Sequence, residues 1–286
     1  MRRTPATPMP VSRASARSTR SVPGIAAPLL AALLLICGSP SYAAPSPGEG
    51  VQSLLGNDIS WPQCTTAFPT GQAFAIVGVN NGLANTTNPC LAEQLDWAEG
   101  SAGHPGRPTV SLYVNTANPG AAGSWWPAED EYPAGRAVHN PYGPCKDGDY
   151  GKACAYMYGF AKAYDDAHHR GISNPGSYVW WLDVETENSW SYTDKDANRT
   201  VLEGMTDFFH SIGAQVGIYS SGRQWDQIIG TVSGSSNLYS LPSWLAGSRN
   251  ASGAAMACSH APLTGGGEVE LTQFVSRGFD YNYSCP

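Results

Sequence analysis

Short, densely apolar runs recur along this chain with helix-like segments between them, and that alternation limits the fold more than any other feature. Residues 73–79 are apolar almost throughout, as a strand buried on both faces must be. Residues 109–114, 178–184, 215–219, 241–246 and 269–274 read as further strands. Residues 89–99 read as a short helix ended by Gly100, and 153–169 as a helix stopped at Arg170-Gly171. Residues 194–211 form another, capped by Thr193 or Asp194, and 224–229 a helical turn or two. Residues 119–149, dense in Gly, Pro, Trp and Tyr, read as loop. Strands alternating with helices predict a parallel sheet, hence a barrel or a doubly wound sheet. No G-x-G-x-x-G follows any strand, which argues against a dinucleotide-binding sheet.

The start of the chain reads differently. Residues 1–24 carry five arginines and no acid, residues 25–36 are apolar, and Ser41-Tyr42-Ala43 supplies small residues. That order predicts a secretory signal over residues 1–43, and the apolar run is shorter than the roughly 20 residues that span a bilayer. Residues 44–55 are expected to be a flexible lead-in, and 56–286 one domain of barrel size. The leader takes 5 of the 16 basic residues and none of the 23 acids, which leaves 11 against 23 and a net charge of −12. A surface so acidic excludes nucleic acid and anionic membranes as partners, and no stable membrane insertion is expected after export. A monomer is expected.

Seven cysteines become six when Cys37 leaves with the leader. An even count in an exported chain predicts three disulfides, and pairing of sequence neighbours is expected: Cys64–Cys90, Cys145–Cys154 and Cys258–Cys285. No C-x₂-C spacing, H-E-x-x-H or G-x-S-x-G occurs, so zinc and serine-hydrolase chemistry are set aside and neither metal nor cofactor is expected.

The chemistry falls on Leu182-Asp183-Val184-Glu185. Side chains at i and i+2 share a face of a strand, so Asp183 and Glu185 point together from the C-terminal end of a buried strand, where barrel enzymes place reacting groups. Two close carboxylates oppose each other's ionisation, and a protonated acid beside a carboxylate is the equipment for cleaving a glycosidic bond. Asp58, at the first strand, and Asp280, after the last, would flank the same mouth if the barrel closes. Trp61, Trp125, Trp126, Tyr132, Trp190 and Tyr192 stand in loops, either as faces for sugar rings or as packing beneath those loops.

In this order the chain resembles glycoside hydrolase family 25, the lysozymes that cleave peptidoglycan, in a secreted actinobacterial branch. The resemblance rests on Asp58-Ile59-Ser60 with Trp61 and Gln63, the 74–79 strand, Leu182-Asp183-Val184-Glu185, Gly217-Ile218-Tyr219-Ser220-Ser221 before Trp225, Ser243-Trp244-Leu245-Ala246, and Leu271-Thr272-Gln273-Phe274 before Asp280. It implies an α/β fold: a single irregular (β/α) TIM-type barrel, here stapled by disulfides. It implies Glu185 as general acid, and Asp183 steadying either the developing positive charge or the substrate's acetamido group. Asp58 and Asp280 would complete an acidic pocket, with Trp61, Tyr113, Trp190, Tyr219 and Trp244 against the substrate. The three disulfides and the loop from Trp125 to Cys154 depart from the family. So does Asn115-Thr116-Ala117-Asn118-Pro119, which stands where the family carries an aromatic tract. Two functions stay open: hydrolysis of β-1,4 bonds in peptidoglycan or a related N-acetylated glycan, or catalytically idle wall-glycan binding on the same barrel.

Overall fold

The computed structural model describes residues 54–286. The expected signal segment, residues 1–43, lies outside the described residues, as does nearly all of the expected lead-in. Eight strands close a barrel in sequence order: β1 (Leu55–Ile59), β2 (Ala75–Gly78), β3 (Val110–Asn115), β4 (Val179–Asp183), β5 (Gln215–Ser220), β6 (Ser243–Ser248), β7 (Val269–Ser276) and β8 (Phe279–Ser284). The helices are α1 (Leu91–Glu99), α2 (Lys152–His169), α3 (Lys195–Ser211), α4 (Gly222–Ile228) and α5 (Ala251–Ala257). β1 begins at Leu55, one residue inside the expected flexible stretch, because Leu55 pairs with Tyr283 and is buried with Ala254 and Phe274.

Three N-termini show why the helices start where they do. The Asp194 carboxylate accepts from the Ala197 amide at 2.9 Å to cap α3, the Ser221 hydroxyl accepts from Gln224 at α4, and Asn250 accepts from Gly253 at α5. α2 and α3 then pack backbone to backbone. A Cβ on Gly159 would sit 1.9 Å from the Val201 carbonyl oxygen, and one on Gly204 2.1 Å from that of Tyr156, so neither position accepts a side chain. Beneath them Trp180 stacks on Phe209 with centroids 4.4 Å apart. Inside the barrel Phe74, Ile76, Trp181, Trp244 and Leu271 fill the lower space, so the interior is a packed floor and not a pore.

Two elements differ from expectation. Asp280 stands on an eighth strand and not in a turn, and β8 runs antiparallel to both β7 and β1. The run Phe-Asp-Tyr-Asn-Tyr-Ser packs Tyr281 and Tyr283 outside the barrel and turns Asn282 inward to Asp58, which hides the strand from a search for apolar runs. α5, built from small residues, gave no apolar periodicity to detect. The long loop after β3 is ordered by aromatic packing. Trp126 stacks on Tyr158 at 5.0 Å, Tyr132 meets Tyr164 edge-on at 5.5 Å, and Trp126 Nε1 donates to the Asp149 carbonyl at 2.8 Å.

The three disulfides join Cys64 to Cys90, Cys145 to Cys154 and Cys258 to Cys285, the sequence-neighbour pairing. Replacing both cysteines of the last pair, 27 residues apart, with serine is expected to lower stability by about 3–4 kcal/mol through loop-closure entropy. The middle pair, 9 residues apart, is expected to contribute about 2–3 kcal/mol. Denaturant unfolding of the two variants measures the difference; a larger loss at the short loop would contradict this account.

Candidate active site

β4 delivers Asp183 as its last residue, and the chain around it is tied from both sides. The Asp183 carbonyl accepts from the Thr116 hydroxyl at 2.5 Å, and the Val184 carbonyl accepts from the Ser220 hydroxyl at 2.7 Å. Just past the strand, the Glu185 carbonyl accepts from Trp190 Nε1 at 2.9 Å and from the Asn188 amide at 3.2 Å. The Asp183 side chain is buried. Its Oδ2 accepts from Asn115 Nδ2 at 3.0 Å, and its Oδ1 has no partner. The unexpected Asn115–Pro119 tract thus supports the acid-bearing strand. Asn115 is itself held by Asn80, whose Oδ1 accepts the Asn115 amide at 2.8 Å and whose Nδ2 donates to Asp166 at 2.9 Å.

Across the mouth, antiparallel pairing of β1 and β8 sets Asp58 directly opposite Asp280. Like charges in that register repel. Asp58 is buried, and its oxygens accept from Asn282 Nδ2 at 2.7 Å and Gln273 Nε2 at 3.1 and 3.2 Å. Gln273 in turn accepts from the Tyr219 hydroxyl at 2.8 Å, which fixes the direction of its amide. Asp58, Asp183, Glu185 and Asp280, with Tyr113, Tyr219, Trp244 and Gln273, line one cavity of about 160 Å³. Trp244 forms its floor, buried against Tyr219 at 4.4 Å, Trp181 at 5.8 Å and Tyr113 at 6.4 Å. Among the described residues, no group of three or more His, Cys, Asp or Glu is placed to hold a metal ion.

All four carboxyls are shifted upward. Burial, reinforced by the Asp280 charge, pushes Asp58 up to about 7. Burial and then the Glu185 charge hold Asp183 well above the carboxylate range. Glu185 is raised by burial and then by Glu187, and Asp280 by burial. Glu185 is expected to hold a proton because of Asp183 and its buried strand, and of these two causes burial is the one that raises it. The stronger pull falls on Asp183 instead, the more deeply enclosed of the two.

The expected site residues therefore separate. Asp58, Tyr113, Asp183, Glu185, Tyr219, Trp244 and Asp280 meet at the cavity. Trp61 lies outside its lining, 45% exposed, on the short 3₁₀ turn after β1 and against Gly82. Trp190 offers no open face: it is 7% exposed, packed in the main core and anchoring the Glu185 carbonyl. Gln273, Asn282 and Asn115 were not singled out. Polar amides amid strand residues were the signal that could have found them.

Comparison with known proteins adds three observations. A family model described as lysozyme-like protein 1 matches residues 157–256. Over 66 residues the chain is 39% identical to a probable GH family 25 lysozyme 4 of Dictyostelium discoideum, a match covering 23% of this chain and 29% of that protein. The chain therefore spans under a third of the length of the curated relative it matches. In structure it is similar to muramidases from Trichobolus zukalii (18% identity, TM-score 0.52) and Acremonium alcalophilum (19%, 0.52), each match covering 82% of this chain and 94% of the other. It is also similar to the bacterial lysozyme of Streptomyces coelicolor, at 16% identity and TM-score 0.50, over 81% of this chain and 91% of that one. The chain shares the fold of these proteins, and over part of its length it is similar in sequence to a GH family 25 lysozyme.

The upward shift of Asp58 has a consequence for stability. Its folded value of about 7 exceeds the ordinary 3.8, so the folded state binds the extra proton between those values. The stabilisation is complete below the lower value and is lost as pH rises through about 7. The melting temperature is expected to fall from pH 4 toward pH 8, and Asp58→Asn to flatten part of that fall. A pH–melting series checks it; an unchanged slope in the variant would assign the dependence to other groups.

Proposed function

We propose that this chain is a secreted glycoside hydrolase of the lysozyme or muramidase type. Its substrate is peptidoglycan or a related N-acetylated glycan, and the bond cleaved is a β-1,4 glycosidic bond. One observation carries the reading: four carboxyls converge on a single aromatic-floored cavity at the barrel mouth, and none of them forms a salt bridge among the described residues. A site rich in acid and free of paired cations suits a reaction that protonates an oxygen and builds positive charge on a sugar ring. The partial sequence match and the shared fold point the same way. The arginine-rich then apolar start of the sequence, together with three disulfides, supports export and action at the wall or outside the cell. In line with this, no helix among the described residues is long and apolar enough to cross a membrane.

Glu185, half-buried just beyond the strand end, is assigned as general acid. Its proton passes to the glycosidic oxygen as the bond from that oxygen to the anomeric carbon breaks. Asp183 has Oδ2 committed to Asn115, while Oδ1, also buried, has no partner among the described residues. Held neutral, it is suited to bond the acetamido group and not to oppose a cation by charge. Asp280, nearer solvent and itself raised by burial, faces Asp58 across the mouth. Tyr113 and Tyr219 are held well above their ordinary values by burial, so both stay hydroxyl donors.

Reducing-end release from purified peptidoglycan is the test. Glu185→Gln is expected to lose about 10²–10⁴-fold in turnover, with the fold retained. Asp183→Asn keeps a donor at the unpartnered position and is expected to lose less than Glu185→Gln. An equal or greater loss would mean that ionised Asp183 is the working form. A parent without turnover on any wall preparation would favour idle glycan binding. Carbon-13 NMR should place the Glu185 titration above the ordinary 4.5, because burial raises it; a midpoint at or below that value would remove its role as acid.

A further inference from the structure

A second hollow, of about 280 Å³, opens on the same face of the barrel, between the loops that follow β2, β3 and β4. Its walls include Leu83, Asn85, Trp125, Lys162, Asn188 and Ser189. These loops leave the C-terminal ends of parallel strands, the face on which the acidic cavity opens. Asn188 is one turn from Glu185, with its amide on the Glu185 carbonyl at 3.2 Å, so the two sites are neighbours on one backbone turn.

Trp125 gives the hollow its character. It is 41% exposed, yet it is held firmly. Tyr158 stacks on it with centroids 6.1 Å apart and planes 30° apart, Tyr132 lies at 5.7 Å, and Lys162 Nζ is 5.0 Å from its ring centre. A braced and open indole is a preformed platform, and little ordering entropy remains to be lost when a ligand covers it. The polar groups around it narrow the ligand. Lys162 is neutralised by Asp165 at 2.8 Å, so no free cation awaits an anion. What remains is uncharged: the amides of Asn85 and Asn188 and the hydroxyls of Ser124 and Ser189. A flat aromatic platform edged by amides and hydroxyls suits a sugar ring, with an apolar face and a rim of hydroxyl and acetamido groups.

We infer that this hollow is a further sugar subsite, where a ring of the strand whose scissile bond lies in the acidic cavity stacks on Trp125. The inference rests on the glycan reading above for the identity of the ligand. It makes the loop after β3 a determinant of chain-length preference: long strands reach both sites and short ones only the first.

The test uses peptide-free glycan strands from peptidoglycan, fractionated into short and long pools, with dissociation constants from calorimetry on the Glu185→Gln protein and KM on the parent. Trp125→Ala in each background is expected to weaken long strands by roughly 3- to 10-fold. Short strands should change much less, so the preference for length collapses, and Trp125→Tyr should restore it. Ser189→Trp, which fills the hollow from an exposed loop, should reproduce the loss should Trp125→Ala fold poorly. Length preference that survives both Trp125→Ala and Ser189→Trp overturns the subsite, as does a protein that binds neither pool. A protein that binds long strands through Trp125 yet never turns over keeps the subsite and loses the hydrolase reading. A protein that turns over without dependence on Trp125 does the reverse.

Discussion

Carboxyl groups held largely out of water at the ends of strands are the constraint around which the rest of the molecule is arranged. A buried carboxyl with no donor nearby is costly, and one with too many donors loses its proton and with it any use as an acid. The barrel sits between these limits. Asp58 receives two amide side chains, Asp183 receives one, and among the described residues neither forms an ion pair with a lysine or arginine. The amides come from β3, β7 and β8: Asp183 is supplied from the adjacent β3, and Asp58 from the adjacent β8 and from β7 beyond it, so the setting of Asp58 depends on barrel closure.

Most of this frame was legible in the sequence because its strands are apolar on both faces. Six runs and four helices announced themselves by period and by caps such as Asp194. The even cysteine count predicted three disulfides and the preference for sequence neighbours their pairing, and Asp183-Val184-Glu185 stood out as acids on an otherwise apolar run. Elements whose burial is polar stayed hidden. β8 turns Asp280 and Asn282 inward, to the cavity and to Asp58, and Tyr281 and Tyr283 outward, the inverse of an ordinary amphipathic strand. Gln273 was unreadable for a related reason: its value lies in joining Tyr219 to Asp58, residues distant in sequence. The tryptophans show the limit most plainly. Trp190 and Trp125 look alike as loop aromatics, yet one is packed in the core and the other stands open on a braced support.

The Asn115–Pro119 tract becomes intelligible in three dimensions. Its residues turn inward to the backbone and side chain of Asp183 and onward to α3, where Asn118 Nδ2 donates to Asn198 at 2.9 Å. The tract gives the acid a rigid backing of hydrogen bonds. Aromatic surface stands further along the same loop: Trp125 and Trp126 stack on Tyr158 of α2, and Trp126 also packs on the buried Cys145–Cys154 cluster.

The reversed direction of β8 has a geometric result of its own. Because β8 begins at the mouth and ends beneath it, Ser284 finishes beside Leu55, where β1 begins, on the face away from the carboxyls. The barrel is entered and left through one doorway. A tether at either end would point the mouth outward, and a circular permutant that joins the two ends and reopens in an exposed loop should keep every strand partner. The two ends of the described barrel and its acidic cavity thereby lie at opposite poles.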